Sequence, residues 1–167
     1  MANQTPWPPC MTICVGAVVL HEERVLFVRQ TYGENLTGVW TLPWGFVQGM
    51  TDDGQPDPPH VAAVRETLEE GGITAKIVGL LGVQNHATAA GEPRLYILFL
   101  CHPINGDPTP DHTETDRAAY FSLDDLDHLD GPIDAFCDWL ARRVLRGDYH
   151  LIPAEMTNPY APFVAFL

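Results

Sequence analysis

Residues Arg65-Glu66-Thr67-Leu68-Glu69-Glu70 place three carboxylates and one guanidinium in six consecutive positions. On a helix turning about 100° per residue, Glu69 falls about 60° to one side of Glu66 and Glu70 about 40° to the other. All three then share an arc of about 100° within one turn, and such a cluster is costly. Like charges at i,i+4 repel by a few tenths of a kcal/mol each on an exposed helix, and more where water is excluded. Only Arg65, i,i+4 to Glu69, compensates locally. Glu69 and Glu70 also lie at the C-terminal, negative end of the helix dipole, where cations are preferred. A solvated acidic face is the commoner reason for a Glu-rich helix. It does not explain charges set against the helix's own field, nor the Gly71-Gly72 pair that lets another backbone approach them. A bound hard cation explains both, and Mg²⁺ or Mn²⁺ takes all-oxygen ligands of this kind. Phosphate oxygens would complete the shell, which is the logic of metal-assisted phosphoryl chemistry.

The elements that must position this cluster are legible around it. From His60 to Glu70 there is no Gly or Pro, and Val61, Val64 and Leu68 recur at i, i+3 and i+7 as an apolar face. Asp57 and Pro58-Pro59 occupy N-cap and first-turn positions, and Gly71-Gly72 the C-terminal cap. Thr12–Leu20 and Arg24–Gln30 read as strands of a hairpin turning at His21-Glu22-Glu23, and Val39–Leu42 as a short extended piece ending at Pro43. Gly49–Pro59 holds turn formers almost throughout and reads as an exposed loop. Ile73–Val83 and Arg94–Cys101 read as strands around a turn near Gly91. Asn105–Thr115 is a second acidic loop, Ala118–Ser122 a short strand, and Leu123–Leu129 a short acidic helix or turn. Pro132–Arg146 is an amphipathic helix with Ile133, Phe136, Cys137, Leu140 and Val144 inward. Strands flanked by two helices predict an α/β sandwich with a mixed sheet, in one domain covering 1–167. Residues 1–9 read as a flexible N-terminus and 148–167 as an irregular, aromatic tail that packs over the core or against a partner.

Composition bounds the partners. The chain has 167 residues, 46% hydrophobic and 19% charged, with a formal charge of −13. That balance argues against non-specific binding to nucleic acid or an anionic membrane. With nine Lys and Arg in all, metal cations are the natural way to handle phosphates. Cys10 and Cys14, i,i+4 near the start of a strand, lie roughly 13 Å apart when extended, which suits neither a disulfide nor a zinc knuckle. The cysteines read as reduced core thiols. No basic and apolar leader and no stretch of about 20 apolar residues occurs, so the expectation is a cytoplasmic protein without a membrane partner. The seven histidines form no HxxxH pair. Asp52-Asp53-Gly54 fails the calcium-loop register, which puts Thr51 and His60 where acids are needed. Neither GxSxG nor GxxxxGK[ST] is present.

Arg65-Glu66-Thr67-Leu68-Glu69-Glu70-Gly71-Gly72-Ile73 resembles the second half of the Nudix box, REUxEExGU, with Thr67 at the first aliphatic position. Val39-Trp40-Thr41-Leu42-Pro43-Trp44-Gly45-Phe46-Val47 is similar to the family's W-x-L-P-G-G-x-V run. Tyr120-Phe121-Ser122-Leu123-Asp124-Asp125-Leu126 resembles its W/F-F-x-L-D-E-L segment. The resemblance covers roughly Thr12 to Arg146 and implies a Nudix-like α/β/α sandwich. Three departures stand out. Trp44 replaces the first glycine of the usual pair. Eleven residues, not five, separate Gly45 from the next counterpart acid, and that acid is Asp57 in place of Glu, with the usual seven residues before Arg65.

The resemblance implies a hydrolase of phosphoric anhydride bonds, cleaving a nucleoside diphosphate linked to another moiety, such as an ADP-ribose, a sugar nucleotide or an NTP. The alternative it leaves is a non-catalytic, nucleotide-sensing binding module; a structural protein with an acidic helix is opposed by the Trp40–Gly45 run. Glu66, Glu69 and Glu70 are the implied metal ligands for Mg²⁺ or Mn²⁺, with Glu69 also a water-orienting base and Arg65 the residue that orients the carboxylates. The Gly45 carbonyl is a further candidate at the metal. Glu114 is the implied remote acid, with Asp111 and Asp116 as competitors. Arg29, ending a strand on the loop side, is a candidate phosphate contact beside Trp44 and Gly45 at the substrate. The exact nucleotide is not written in the sequence, and the aromatic tail is a candidate surface for a homodimer.

Overall fold

A computed structural model describes residues 11–33, 35–52, 54–87, 91–155 and 164–167. The N-terminal run 1–9, Cys10, and 156–163 of the tail lie outside the described residues. The elements follow in the order β1 (Thr12–His21), β2 (Arg24–Gln30), β3 (Trp40–Thr41), β4 (Trp44–Phe46), β5 (Gly49–Met50), β6 (Pro56–Asp57) and α1 (Pro59–Gly71). Then come β7 (Thr74–Ala87), β8 (Pro93–Asn105), β9 (Thr115–Phe121), α2 (Leu123–Leu126), α3 (Ala135–Leu145), β10 (Ile152–Glu155) and β11 (Ala165–Phe166).

β1 organises the sheet. Along one edge it pairs in parallel with β8, from Thr12↔Arg94 to Val19↔Cys101. Its other edge is divided. Cys14, Val15 and Gly16 take β4, whereas Leu20 and His21 take β2, which carries β3 and β9 onward. The strand path is β11-β10-β7-β8-β1-β2-β3, with β4 on β1 and β9 on β2, and the single parallel pairing makes it mixed. Two-residue alternation along β1 supplies both faces. Val15, Ala17 and Val19 pack with Ala62, Ala63 and Ile73 at α1, while Val18 packs with Leu140, Ala141 and Val144 of α3. The result is the expected α/β/α sandwich, with α1 on one side and α3 on the other.

Four local expectations need correcting. The Val61/Val64/Leu68 stripe does not face the core: Val61 is 38% and Leu68 50% exposed, and the inward residues are Ala62, Ala63, Glu66, Thr67, Glu70 and Gly71. Small side chains bring α1 close to the sheet, and that approach carries two glutamates inward. Asp57 is not the N-cap. Pro58 occupies that position in extended geometry with Pro59 following, and Asp57 is buried for another purpose. The tail is not wholly irregular, because β10 pairs with β7 and β11 with β10. The 49–59 loop likewise contains a small hairpin, with Gly49 opposite Asp57.

The glycine pair behaves as anticipated. Gly72 takes a left-handed φ of 71° and caps the helix through its N–H to the Leu68 carbonyl. Thr109 of the second acidic loop donates to the Gly71 carbonyl at 2.9 Å, and a Cβ on Gly72 would lie 2.8 Å from the Thr109 oxygen.

Candidate active site

α1 brings Glu66 and Glu70 under β4, one turn apart and almost fully buried at 6% and 1% exposure. Each is held differently. Glu70 Oε1 accepts from Gln30 Nε2 at 3.0 Å and Oε2 from the Trp44 backbone N–H at 2.9 Å. Both donors are neutral. Glu66 Oε1 accepts from Arg65 Nη1 at 2.7 Å. Burial drives both carboxyls up, against the pull of these donors, and the charges of neighbouring acids raise them further. Glu66 reaches about 7, with Arg65 opposing and Glu69 and Glu114 assisting. Glu70 reaches about 8, with Gln30 and Trp44 opposing and Glu66 and Glu114 assisting.

Gly45 closes the roof. A Cβ there would lie 2.0 Å from the Glu66 carboxyl carbon, so any larger residue would displace the carboxylate. This is the close approach that reserves the position for glycine. Trp44, in the place of the other glycine, meets no such obstacle, because its side chain leaves the opposite side of β4 while its N–H serves Glu70.

Arg65 is the hub of the outer half. Nη1 donates to Glu66 and, at 3.0 Å, to Glu69 Oε2; Nη2 donates to the Phe46 carbonyl at 3.0 Å and to Asp57 Oδ2 at 2.9 Å. Asp57, fully buried, also accepts from the Gln48 N–H at 3.2 Å. The shortened acid thus anchors the loop root to the helix through Arg65, which accounts for its position relative to that residue. Glu69 differs from its neighbours, with a side chain 54% exposed.

The three candidate remote acids separate cleanly. Asp111 is a loop staple: Oδ1 accepts from the N–H groups of Thr113, Glu114 and Thr115, and those bonds hold its carboxyl below the usual range. Asp116 forms a two-pronged pair with Arg29, at 2.7 and 2.6 Å. Glu114 remains. Its backbone is pinned by Asp111 and by the Thr31 N–H, and its charge acts on Glu66 and Glu70 through space. The candidate phosphate contact Arg29 is thus placed, with Nε and Nη2 engaged by Asp116.

Sequence reasoning missed three contributors. Gln30 ends β2 fully buried, aiming its amide nitrogen at Glu70 and Thr41 while its own oxygen is buried without a partner. Thr115 Oγ1 donates to the Glu70 carbonyl at 2.8 Å, tying β9 to the end of α1. Tyr32 feels the charges of Glu70, Glu114 and Glu66, and burial with those charges pushes its hydroxyl up to about 12. The signal for Gln30 was a polar side chain at an inward position of an otherwise apolar strand.

The chemistry of the donor set suits a divalent cation. Glu66 and Glu70 offer hard carboxylate oxygens withdrawn from water, and Glu70 is met by no cationic donor among its hydrogen bonds. Among the described residues no three carboxylate, imidazole or thiol groups converge on one point, Glu69 being drawn aside by Arg65.

The model of the NUDIX domain matches residues 11–140. The frog protein nucleoside diphosphate-linked moiety X motif 6 (Xenopus laevis) is 29% identical over 114 residues, covering 66% of this chain and 49% of that protein. The chain spans about half or less of the length of the curated relatives it matches. The MutT NUDIX hydrolase of Burkholderia pseudomallei superposes with a TM-score of 0.65 at 26% identity, over 81% of this chain and 98% of that one. The NUDIX domain of Shewanella oneidensis NrtR, solved with ADP ribose, shares the fold with a TM-score of 0.67 at 17% identity, over 87% and 94%. With the family's model matched across most of its length and the glutamate pair, its glycine roof and its arginine hub in place, the chain belongs to the Nudix family.

Proposed function

We propose that the protein is a pyrophosphohydrolase acting on a nucleoside diphosphate linked to a further moiety, with Mg²⁺ or Mn²⁺ as its cofactor. The carrying observation is the buried pair Glu66 and Glu70 beneath a glycine that leaves room only for the carboxylate. Hydrolases of this family generally use divalent metal ions. Glu66 and Glu70, with Glu69, would hold the ion, which when bound neutralises the pyrophosphate and lowers the pKa of water. The name of the frog relative and the ADP ribose bound in the Shewanella domain both point to this class of compound.

The chain's own residues would do the rest. Arg65 holds Glu66 in place, so that carboxylate does not have to reorganise when charge develops, whereas Glu69 would turn away from Arg65 to reach the ion. Gln30 and the Trp44 N–H fix Glu70. Glu114, or Glu69, takes a proton from the attacking water. A new P–O bond forms from that water, the bridging P–O bond breaks, and two phosphate-terminated fragments leave. Arg29 would meet a phosphate through Nη1, since Asp116 occupies Nε and Nη2. A nucleotide-sensing module is the other reading that replacement of the family glycine by Trp44 suggests. The retained bond from the Trp44 N–H to Glu70 speaks against it.

The test is release of phosphate or nucleotide from a panel of nucleotide substrates with Mg²⁺. Glu66→Gln and Glu70→Gln should each lower turnover at least a hundredfold, several kcal/mol of lost charge stabilisation, while keeping the fold. Glu114→Gln should lower kcat with little change in KM, since its help comes in the transition state. Retained activity with Gln at both 66 and 70 would end the assignment.

A further inference from the structure

Strand β4 presents two faces. Gly45 faces the carboxylates of α1, so its neighbours Trp44 and Phe46 project from the other side. There the Trp44 indole forms one wall of a cavity of about 250 Å³, bounded also by Tyr96, Leu98 and Phe136, with Arg94 and Asp134 among its lining residues. The wall is buttressed: the indole lies 5.8 Å from the Phe46 ring and 6.0 Å from the Tyr96 ring, centroid to centroid. Pockets that enclose a whole drug-sized ligand run to about 300–1,000 Å³, so this one suits a ring system and not a sugar with its phosphates. Among its polar lining residues Arg94, Gln84 and His86 carry donors, while Asp134 Oδ1 already caps α3 by accepting from the Phe136 and Cys137 N–H groups. Residue 44 joins the two compartments, its side chain lining the cavity and its N–H holding Glu70 at 2.9 Å.

We infer that this cavity takes the base of the nucleoside diphosphate, with the Trp44 indole as its stacking face. The inference rests on the pyrophosphohydrolase reading for where the diphosphate lies, and adds which part of the substrate this chain grips. The substitution that departs from the family's glycine is then a specificity device. Truncating an aromatic that stacks on a base typically weakens binding by about fivefold to a hundredfold.

Calorimetric titration of the full chain with free adenosine, guanosine, cytidine and uridine, and with ribose 5-phosphate as the base-free control, tests it. At least one nucleoside should bind and the sugar phosphate should not. Trp44→Leu should weaken nucleoside binding at least tenfold, Trp44→Phe should stay within about threefold, and Tyr96→Leu, which removes a buttress of the indole from a different strand, should also weaken it. In turnover, Trp44→Leu should raise KM about tenfold with a smaller change in kcat. Equal nucleoside affinity in both Leu variants and the parent, or no nucleoside binding to the parent at millimolar concentration, overturns the pocket. The two readings fail separately. A parent that binds nucleosides through Trp44 but cleaves nothing keeps the pocket and loses the hydrolase; one that cleaves with KM and base preference unmoved by either Leu variant does the reverse.

Discussion

Glu66 and Glu70 are ordinary glutamates made unusual by where α1 puts them. Each is lifted from 4.5, to about 7 and about 8, chiefly because burial penalises the charged form. Between about 4.5 and 8 these two carboxyls therefore bind more protons in the folded protein than in the unfolded chain, and their contribution to stability falls as pH rises through that window, with the lowered His60 opposing in part. Without divalent metal, the melting temperature should decline from pH 5 to pH 8; with Mg²⁺ or Mn²⁺ the decline should shrink, and in a Glu66→Gln/Glu70→Gln double variant it should largely vanish. A flat metal-free profile for the parent would contradict the burial argument. The two single variants should differ. Glu66→Gln keeps an oxygen for Arg65 and sheds charge, so its metal-free melting temperature should equal or exceed the parent's. In Glu70→Gln the new amide nitrogen meets the Gln30 or Trp44 N–H unless the Gln30 amide turns its unpartnered oxygen toward it, so that variant should lose at most a hydrogen bond worth about 1 kcal/mol. Gly45→Ala probes the same spot sterically. Its methyl would fall 2.0 Å from the Glu66 carboxyl carbon, so activity should drop at least a hundredfold and stability by about 1–3 kcal/mol, checked by kinetics and thermal melts.

At the scale of elements, the hairpin β1–β2 turns on Glu22 and Glu23, both at positive φ, 45° and 62°. That is the geometry Asn-Gly adopts readily and glutamate does not. Replacing the pair by Asn-Gly should raise stability by about 1 kcal/mol, or about 2–4 °C in melting temperature, with turnover unchanged, since the turn is far from α1 in the strand register. An unchanged melting temperature would show the strain to be relieved elsewhere. The turn itself was legible, because polar residues interrupt two apolar runs, but its handedness was not. α1 shows why some of the rest was hidden. Hydrophobic periodicity assigns the inward face to the largest apolar residues, Val61 and Leu68, yet the helix buries alanines and glutamates. A site that needs carboxylates close to a strand overrides the rule that apolar side chains go inward. The helix, its glycine cap and the Arg65–Glu69 pairing could be read from spacing alone. The Asp116–Arg29 pair and the Gln30–Glu70 bond could not, because they join residues 87 and 40 positions apart whose meeting depends on sheet pairing.

At the scale of the molecule, what separates this chain from the family pattern is the long connection between β4 and α1. Its described residues form a short hairpin. Gly49 pairs with Asp57 and Met50 with Pro56, and Thr51 closes the tip by bonding Gln55 through backbone and hydroxyl. Apart from Asp57 it buries little: Met50 is 60% exposed, and Asp52, Gly54, Gln55 and Pro56 are exposed too. Removing the tip therefore takes little apolar surface from the core, and shortening a surface loop changes closure entropy by less than about 1 kcal/mol. The root is another matter, since Asp57 holds Arg65, and Arg65 holds Glu66 and Glu69. A variant that replaces 50–56 with a tight turn, keeping Asp57 and the seven residues between it and Arg65, should melt within a few degrees of the parent and keep its metal requirement. None of the hairpin's described residues lines the cavity beside Trp44, so preference among bases should not move. Its root is joined through Arg65 to the exposed Glu69, and it adds the acid Asp52, so KM should change according to the moiety attached beyond the diphosphate. If kinetics match the parent across substrates that share a base and differ in that moiety, the hairpin is a passive insertion. If base preference shifts instead, the division of labour between Trp44 and the hairpin is wrong.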